Sequence, residues 1–222
     1  MSAPEQHTHL YMIRHGQTES NVAGLLHGAT DVPLNPFGLR QAERVALRIQ
    51  EMTDLNVMYS SPLQRALQTA QAISRLIELP LHLHPGLAEI NFGLVEGSTF
   101  EELAESYPEL HKQMLDHDEM DVRWPEGESR REFGDRIQAA LDDIINAHRG
   151  EHAIVVAHGG VIARATTMFL GERPGDWQRY AIANCSVTHF EIAASGPIAH
   201  LISDTVHLEG FDLEPAAAGD AE

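Results

Sequence analysis

Three junctions in the chain place anion-holding residues directly after apolar runs. Leu10-Tyr11-Met12-Ile13 stops on Arg14-His15-Gly16, with Asn21 shortly beyond. Val57-Met58-Tyr59-Ser60 leads into Ser61-Pro62-Leu63-Gln64-Arg65, and Ala153-Ile154-Val155-Val156-Ala157 leads into His158-Gly159-Gly160. In open α/β sheets, ligands bind at the carboxyl ends of the strands. If these strands are neighbours, the guanidiniums of Arg14 and Arg65 meet the imidazoles of His15 and His158. A guanidinium offers a planar fork matched to phosphate oxygens, and glycine-rich turns and helix N-termini add backbone N–H donors. Such a site is over-provisioned for a carboxylate and suits a phosphoryl group. A neutral imidazole nitrogen can attack phosphorus in line near neutral pH. Fixed cationic donors match the charge that spreads over the equatorial oxygens, and losing one such donor costs ~3–4 kcal/mol. Each junction alone is weak, because the chain has 14 histidines and a lone arginine at a helix start is usually a surface charge. Their joint occurrence, each after a strand, carries the argument.

The elements that must position these residues are legible in outline. Ser61 is a natural N-cap, Pro62 suits the first helical position and Gln64 completes a capping box. The helix so begun should run to about Glu78, with Leu63, Ala66, Leu67, Ala70, Ile73, Leu76 and Ile77 on its buried side. Asn35-Pro36 begins an earlier helix ending near Glu51. A helix over about 129–148 is entered through Gly127-Glu128-Ser129, and another runs from about Val161 to Leu170. Late strands are expected near 185–192 and 198–204. The fully apolar run at 153–157 reads as a strand covered on both faces. This alternation predicts an α/β protein: a three-layer α/β/α sandwich with a mostly parallel central sheet. Residues 1–208 are expected to form a single domain. Residues 96–128 would be a small helical insert or lid, and 209–222 a disordered acidic tail.

Bulk composition narrows the partners. The 222 residues are 43% hydrophobic, enough to build a real core. The chain carries 33 acidic and 15 basic side chains, a net charge of −18. That argues against binding nucleic acid or an anionic membrane surface. A pocket can still differ in sign from the surface around it, so a small anionic substrate is compatible. Cys185 is the single cysteine, which rules out an intrachain disulfide and fits a reducing compartment. The polar start MSAPEQHTH lacks a signal-peptide apolar region, and there is no apolar run of ~20 residues to span a membrane. The expectation is a soluble, cytoplasmic protein.

Taken together, RHGQTESN, SSPLQRALQTA, HPGLAEINFGLVEG and VVAHGGVIA, followed by NCSVTHFE, resemble the motifs of the histidine phosphatase superfamily, in its phosphoglycerate-mutase-like branch. The resemblance runs from about residue 9 to about 204. It implies that His15 is the nucleophile that becomes phosphohistidine. It implies that Arg14, Arg65 and His158 bind the transferring phosphoryl group, that Asn21 is the phosphate-contacting asparagine, and that Glu89 is the proton donor. Gly159, beside His158, joins the substrate-binding set. A carboxyl group close to a bound dianion keeps its proton through like-charge repulsion, so Glu89 could donate to the leaving alkoxide. It could then take a proton from the water that cleaves phosphohistidine. Glu96 is the alternative acid in the same motif. His27 stands where the family usually has glutamine before the glycine, and it could contact phosphate or substrate. No metal or other cofactor is required by this chemistry.

The resemblance covers hydrolases and mutases alike. Cofactor-dependent mutases of the family hold a second anionic group with basic residues in the insert. Here the 96–128 segment holds 11 acids against Lys112 and Arg123, which should repel a bisphosphorylated cofactor. The third motif reads Ile90-Asn91-Phe92-Gly93 where the mutases carry Arg-His-Tyr-Gly. The expected activity is therefore metal-independent hydrolysis of a small phosphorylated metabolite. The alternatives are a cofactor-dependent phosphoglycerate mutase or a non-catalytic phosphoryl-binding protein. An acidic lid suits a monophosphate whose other end is neutral or cationic, with Phe92 and Trp124 offering an apolar wall. The pairs His82/His84 and His7/His9 have ligand-like spacing, but no third ligand is evident near either and a structural zinc site wants four. His111, Asp116, His117 and Asp118 read as a solvated face of the lid, and Cys185 as a buried, inert thiol. The edge strand near 185–204 could pair with another copy in a homo-oligomer.

Overall fold

A computed structural model describes residues 7–210. In chain order its main elements are β1 (Thr8–Arg14), α1 (Glu19–Val22), α2 (Pro36–Gln50), β2 (Leu55–Ser60), α3 (Gln64–Ile77) and β3 (Leu81–Leu83). Two short helices follow, α4 (Phe100–Ser106) and α5 (Pro108–Met114), and then α6 (Arg130–Ala147). The chain continues through β4 (His152–Ala157), α7 (Gly159–Phe169), β5 (Val187–Ala193) and β6 (Gly196–Asp204). The strands form one six-stranded sheet in the order β3-β2-β4-β1-β5-β6. The first four are mutually parallel, while β5 runs antiparallel to both β1 and β6. The connection from Ala193 to Gly196 is too short for a crossover and can only be a hairpin, with Gly196 at φ 119.

The period of two along each strand divides the core into two layers. Leu10, Met12, Ala153, Val155 and Phe190 face one side and pack with Phe133, Ile137 and Leu141 of α6 and Val161 and Ile162 of α7. Ile13, Ile154, Val156 and Val187 face the other and pack with Val45 and Ile49 of α2 and Ala66 and Ile73 of α3. Both faces of β4 are thus buried, which is why its sequence is continuously apolar.

Helix starts follow the capping chemistry in two of three cases. Asn35 Oδ1 accepts the Gly38 N–H at 2.7 Å with Pro36 in the first turn, and Ser129 makes a capping box with Glu132. Ser61 makes a weak local bond, its Oγ accepting the Leu63 N–H at 3.3 Å, but does not stand next to the first helical residue. α3 begins at Gln64 after an uncapped Leu63, and Asp31 Oδ1, from the preceding loop, accepts the Gln64 N–H at 2.6 Å. The same Oγ lies 2.7 Å from His158 Nε2. A buried imidazole N–H without an acceptor would be costly, and Ser61 supplies that acceptor. α7 starts at Gly159, slightly ahead of the expected Val161.

Between Glu96 and Glu128 the chain does form short helices, α4 and α5. The expected acidic tail lies outside the described residues except for Glu209 and Gly210. Among the described residues, no helix is long and apolar enough to cross a membrane. His82 sits in β3 while His84 Nδ1 accepts the Gly86 N–H at 3.1 Å, and His9 Nδ1 meets His189 Nε2 at 3.0 Å. Cys185 is fully buried, and burial pushes its thiol pKa well up, as an inert thiol requires.

Candidate active site

The three strands that end in the special residues are consecutive neighbours, β2-β4-β1. In register, Arg14 lies beside Ala157 and Ser60 beside Val156, so His15, Ser61 and His158 emerge together at one edge. They open onto a cavity of about 570 Å³ lined at its inner end by Arg14, His15, Asn21, His27, Gly28, Arg65, Glu89, Gly159 and Gly160.

His15 is 2% exposed. Its Nδ1–H donates to Gly16 O at 2.7 Å, which leaves the Nε2 lone pair as the reactive end. Burial, then the positive charges of Arg14 and Arg65, hold its pKa well below the ordinary histidine value. The ring is therefore neutral at physiological pH, as a nucleophile must be. The backbone around it is fixed from three sides. His15 N–H donates to Ala157 O at 3.0 Å, Gly16 N–H to Thr69 Oγ1 at 3.1 Å, and Asn184 Nδ2 to His15 O at 3.0 Å. A Cβ on Gly16 would stand 2.4 Å from Gly38 O, so only glycine lets the loop approach α2.

Arg65 is fully buried and is heavily committed to the protein. Its Nη1 donates to Thr30 O at 2.8 Å and its Nη2 to Gly28 O at 2.7 Å and His27 O at 3.2 Å. Its Nε donates to His158 Nδ1 at 3.2 Å. Burial lowers its pKa to about 10, and the group stays charged. Arg14 Nη1 donates to Ile182 O at 2.6 Å, while its Nε is buried without a partner. Gly159 lies alongside this guanidinium, where a Cβ would sit 3.4 Å from Arg14 Nε, an ordinary van der Waals distance.

His158 is fully buried and does not line the cavity. Because Nδ1 accepts from Arg65, Nε2 carries the proton and donates to Ser61 Oγ. Burial, then Arg65 and His15, keep its pKa well below the usual value. In this arrangement His158 orients Arg65 rather than presenting a free N–H to a phosphoryl group.

Asn21 Oδ1 accepts from Thr18 N–H at 3.1 Å and from Asn184 Nδ2 at 3.2 Å, so the amide nitrogen is the end available to a ligand. His27 Nδ1–H donates to Leu25 O at 3.1 Å, and its Nε2 lies 3.4 Å from Thr18 Oγ1. Its ring centre is 6.4 Å from that of His15, and burial lowers its pKa. Glu89 enters from the loop after β3. Its Oε2 accepts the Gly160 N–H at 2.9 Å and its Oε1 the Ile90 N–H at 3.1 Å. Glu96, the alternative acid, is elsewhere. Its carboxylate accepts the N–H groups of Ala29, Thr30 and Phe92 at 2.7, 2.7 and 3.1 Å, together with the Thr30 hydroxyl, and it does not line the cavity. It ties the His27–Thr30 loop to the third motif.

The outer part of the cavity departs from the sequence reading. Its wall includes Phe92, Phe100, Met114, Leu115, Trp124, Trp177 and Tyr180. Glu89 is the one acid and Arg14 and Arg65 are the sole Lys or Arg side chains lining it among the described residues. The acids of the 96–128 segment point elsewhere, so its negative charge is not what a bound group meets. The supposed solvated face also divides, for His111 lines the cavity whereas His117 Nδ1 lies 3.1 Å from Asp176 Oδ1. Thr18, Thr69 and Asn184 support the site without carrying a specific sequence signature of that role, and Ser61, a cap by sequence, also serves His158. Asn184 stands in the NCSVTHFE segment, where an asparagine beside a predicted strand start was the available signal.

Comparison with known proteins agrees with this geometry. The family model of the histidine phosphatase superfamily (branch 1) matches residues 10–205. A curated relative, the "Probable phosphoglycerate mutase GpmB" of Yersinia pestis (strain Pestoides F), is 33% identical over 205 residues, covering 90% of this chain and 94% of its own. A solved phosphoserine phosphatase mutant from Entamoeba histolytica, in complex with phosphoserine, superposes with a TM-score of 0.80 at 32% identity. That match covers 90% of this chain and 99% of the other. Bacillus stearothermophilus YhfR gives a TM-score of 0.82 at 27% identity over 90% of this chain and 99% of its own.

Proposed function

Because the chain belongs to branch 1 of the histidine phosphatase superfamily, we propose that it hydrolyses small phosphomonoesters through a phosphohistidine on His15 Nε2. The observation that carries this is the neutral His15, with Nδ1 tied to Gly16 O and Nε2 turned to a cavity that Arg14 and Arg65 line. In the first half-reaction the Nε2 lone pair attacks phosphorus as the P–O bond to the organic group breaks, and protonated Glu89 gives its proton to the departing oxygen. Arg14, Arg65 and the Asn21 amide hold the equatorial oxygens. In the second half-reaction Glu89, now a carboxylate, takes a proton from water as the water oxygen bonds to phosphorus. The N–P bond breaks and inorganic phosphate leaves.

Hydrolysis is favoured over a mutase by the outer wall. A phosphoglycerate mutase must also hold a carboxylate and a second phosphoryl group, whereas the wall beyond Arg14 and Arg65 is mostly aromatic and aliphatic and adds no Lys or Arg among the described residues. The organic part of the substrate therefore meets a largely apolar wall that includes Phe92, with His111 and Gln178 as polar groups within it. The mutase is kept as the second reading because a relative at 33% identity carries that name. A cytoplasmic location, a single domain over 1–208 and a lid function for 96–128 complete the proposal. The test is release of phosphate from p-nitrophenyl phosphate in the presence of EDTA, wild type beside His15→Ala, with 3-phosphoglycerate isomerisation measured in parallel. Release by the wild type alone supports hydrolysis. Isomerisation faster than release transfers the assignment to the mutase.

A further inference from the structure

Glu89 sits in an irregular loop with no strand or helix to fix its backbone, yet the proposed chemistry needs its carboxyl placed to a fraction of an ångström. A single guanidinium from α6 supplies the support. Arg136 Nη1 donates to Gly86 O at 2.9 Å and to Ala88 O at 2.8 Å, and Nη2 reaches Glu89 O at 3.3 Å. The other side of the same group pairs with Glu128, Nε to Oε1 at 2.8 Å and Nη2 to Oε2 at 2.8 Å. All the donors of the guanidinium fork are thereby used. Glu128 carries the contact across the loop, for its Oε2 accepts the Asn91 N–H at 2.9 Å and its own N–H donates to Asn91 O at 2.9 Å. The loop also lies hard against α6, where a Cβ on Gly86 would be 2.7 Å from Ala140 Cβ. Neither Arg136 nor Glu128 lines the cavity. The pair has no contact with the reacting atoms and is only partly exposed, at 26% and 20%.

We propose that Arg136 and Glu128 are positioning residues that hold the acid–base Glu89, grasping the backbone on both sides of it. The inference rests on the assignment of Glu89 as the proton donor. A surface ion pair contributes little by itself, but the side chains of this one close four hydrogen bonds to loop backbone, three from Arg136 and one through Glu128, beside the backbone bond from Glu128 N–H to Asn91 O. A misplacement of about 1 Å in a catalytic group can cost on the order of 100-fold in rate.

The experiment measures kcat/KM, which reports the half-reaction in which the leaving group departs, for p-nitrophenyl phosphate and for glycerol 2-phosphate. The first has a leaving group that needs little protonation and the second one that needs it fully. Arg136→Met should lower kcat/KM for glycerol 2-phosphate by about 10–100-fold and for p-nitrophenyl phosphate by less than about threefold. Inhibition by inorganic phosphate should stay within about twofold. In the Glu89→Gln background, Arg136→Met should add almost nothing, because residues acting as one unit are not additive. Equal losses on both substrates, or losses that multiply in the double variant, would show a merely structural role and overturn the inference. Glu128→Gln carries the same test should Arg136→Met fail to fold. If Glu89→Gln itself shows no leaving-group preference, the assignment of Glu89 fails. If it does and Arg136→Met and Glu128→Gln do not, only the positioning role fails.

Discussion

Arg65 Nε donates to His158 Nδ1 at 3.2 Å, and that one bond sets the tautomer of a buried imidazole and the plane of a buried guanidinium together. The proton displaced to Nε2 is accepted by Ser61 Oγ at 2.7 Å. A chain of three side chains, one just after β2, one in the first turn of α3 and one just after β4, therefore stands behind the cavity. Ser61→Ala removes its last acceptor and leaves a buried N–H unpaired. Unfolding by urea should show a loss of about 1–3 kcal/mol. An unchanged midpoint would mean that the ring finds another partner and that the chain is not needed.

His15→Ala should abolish turnover, since loss of a covalent nucleophile costs on the order of 10⁶ in rate. The wild type, quenched in mid-turnover, should carry a phosphoryl group on His15 by mass spectrometry of its peptides. Appreciable residual activity in the variant would remove the phosphohistidine mechanism.

Gly160 lets the Glu89 carboxyl approach the start of α7 closely. A Cβ there would stand 2.5 Å from Glu89 Oε1 and 3.1 Å from its Cδ. Gly160→Ala should push the carboxyl aside and lower kcat/KM for an alkyl phosphate by about 10–100-fold, while the fold survives because the displaced atoms end a flexible side chain. Glu89→Gln should show the same preference, slowing alkyl esters more than p-nitrophenyl phosphate. Equal slowing for both classes in Glu89→Gln would exclude Glu89 as the acid.

Acid should weaken the fold through histidines held neutral. On the sheet, His189 lies between His9, Tyr11 and His200, close to His152 and Glu191, and burial with the neighbouring imidazoles lowers its pKa to about 4. His207, against Arg48 and Cys185 O, is lowered to about 4, chiefly by burial. Below the ordinary value of about 6.5 the unfolded chain takes up protons that the folded chain refuses. Stability should therefore be full above about pH 6.5 and fall progressively towards pH 4. Urea midpoints measured between pH 8 and 4.5 check this, and His189→Gln should flatten the decline. A flat profile in the wild type would contradict the neutral-histidine account.

The sequence by itself determined the frame of this protein. The apolar run at Ala153–Ala157 could only be a strand buried on both faces, and Asn35-Pro36 and Ser129 announced helices through local capping chemistry that needs no tertiary partner. The abrupt endings at Arg14-His15 and at His158-Gly159 marked the binding edge, because a strand that stops on such residues has no core reason to do so. Tertiary structure decided what each polar group meets. Ser61 reads locally as a cap and keeps a bond to the Leu63 N–H, yet its shorter contact is to His158, a residue nearly a hundred positions away. Motif position put Glu89 ahead of Glu96 as the acid, and the surroundings of each came only with the fold, Gly160 approaching the first and Ala29 and Thr30 the second. The acids of 96–128 suggested a negative lid, yet the helices turn aromatic and aliphatic side chains inward. Charge counted along a chain carries no direction, whereas the fold assigns each side chain to water or to the cavity. Arg136 lay outside the family-like motifs. Its role depends on three carbonyls that come within reach only when α6 packs beside the Glu89 loop.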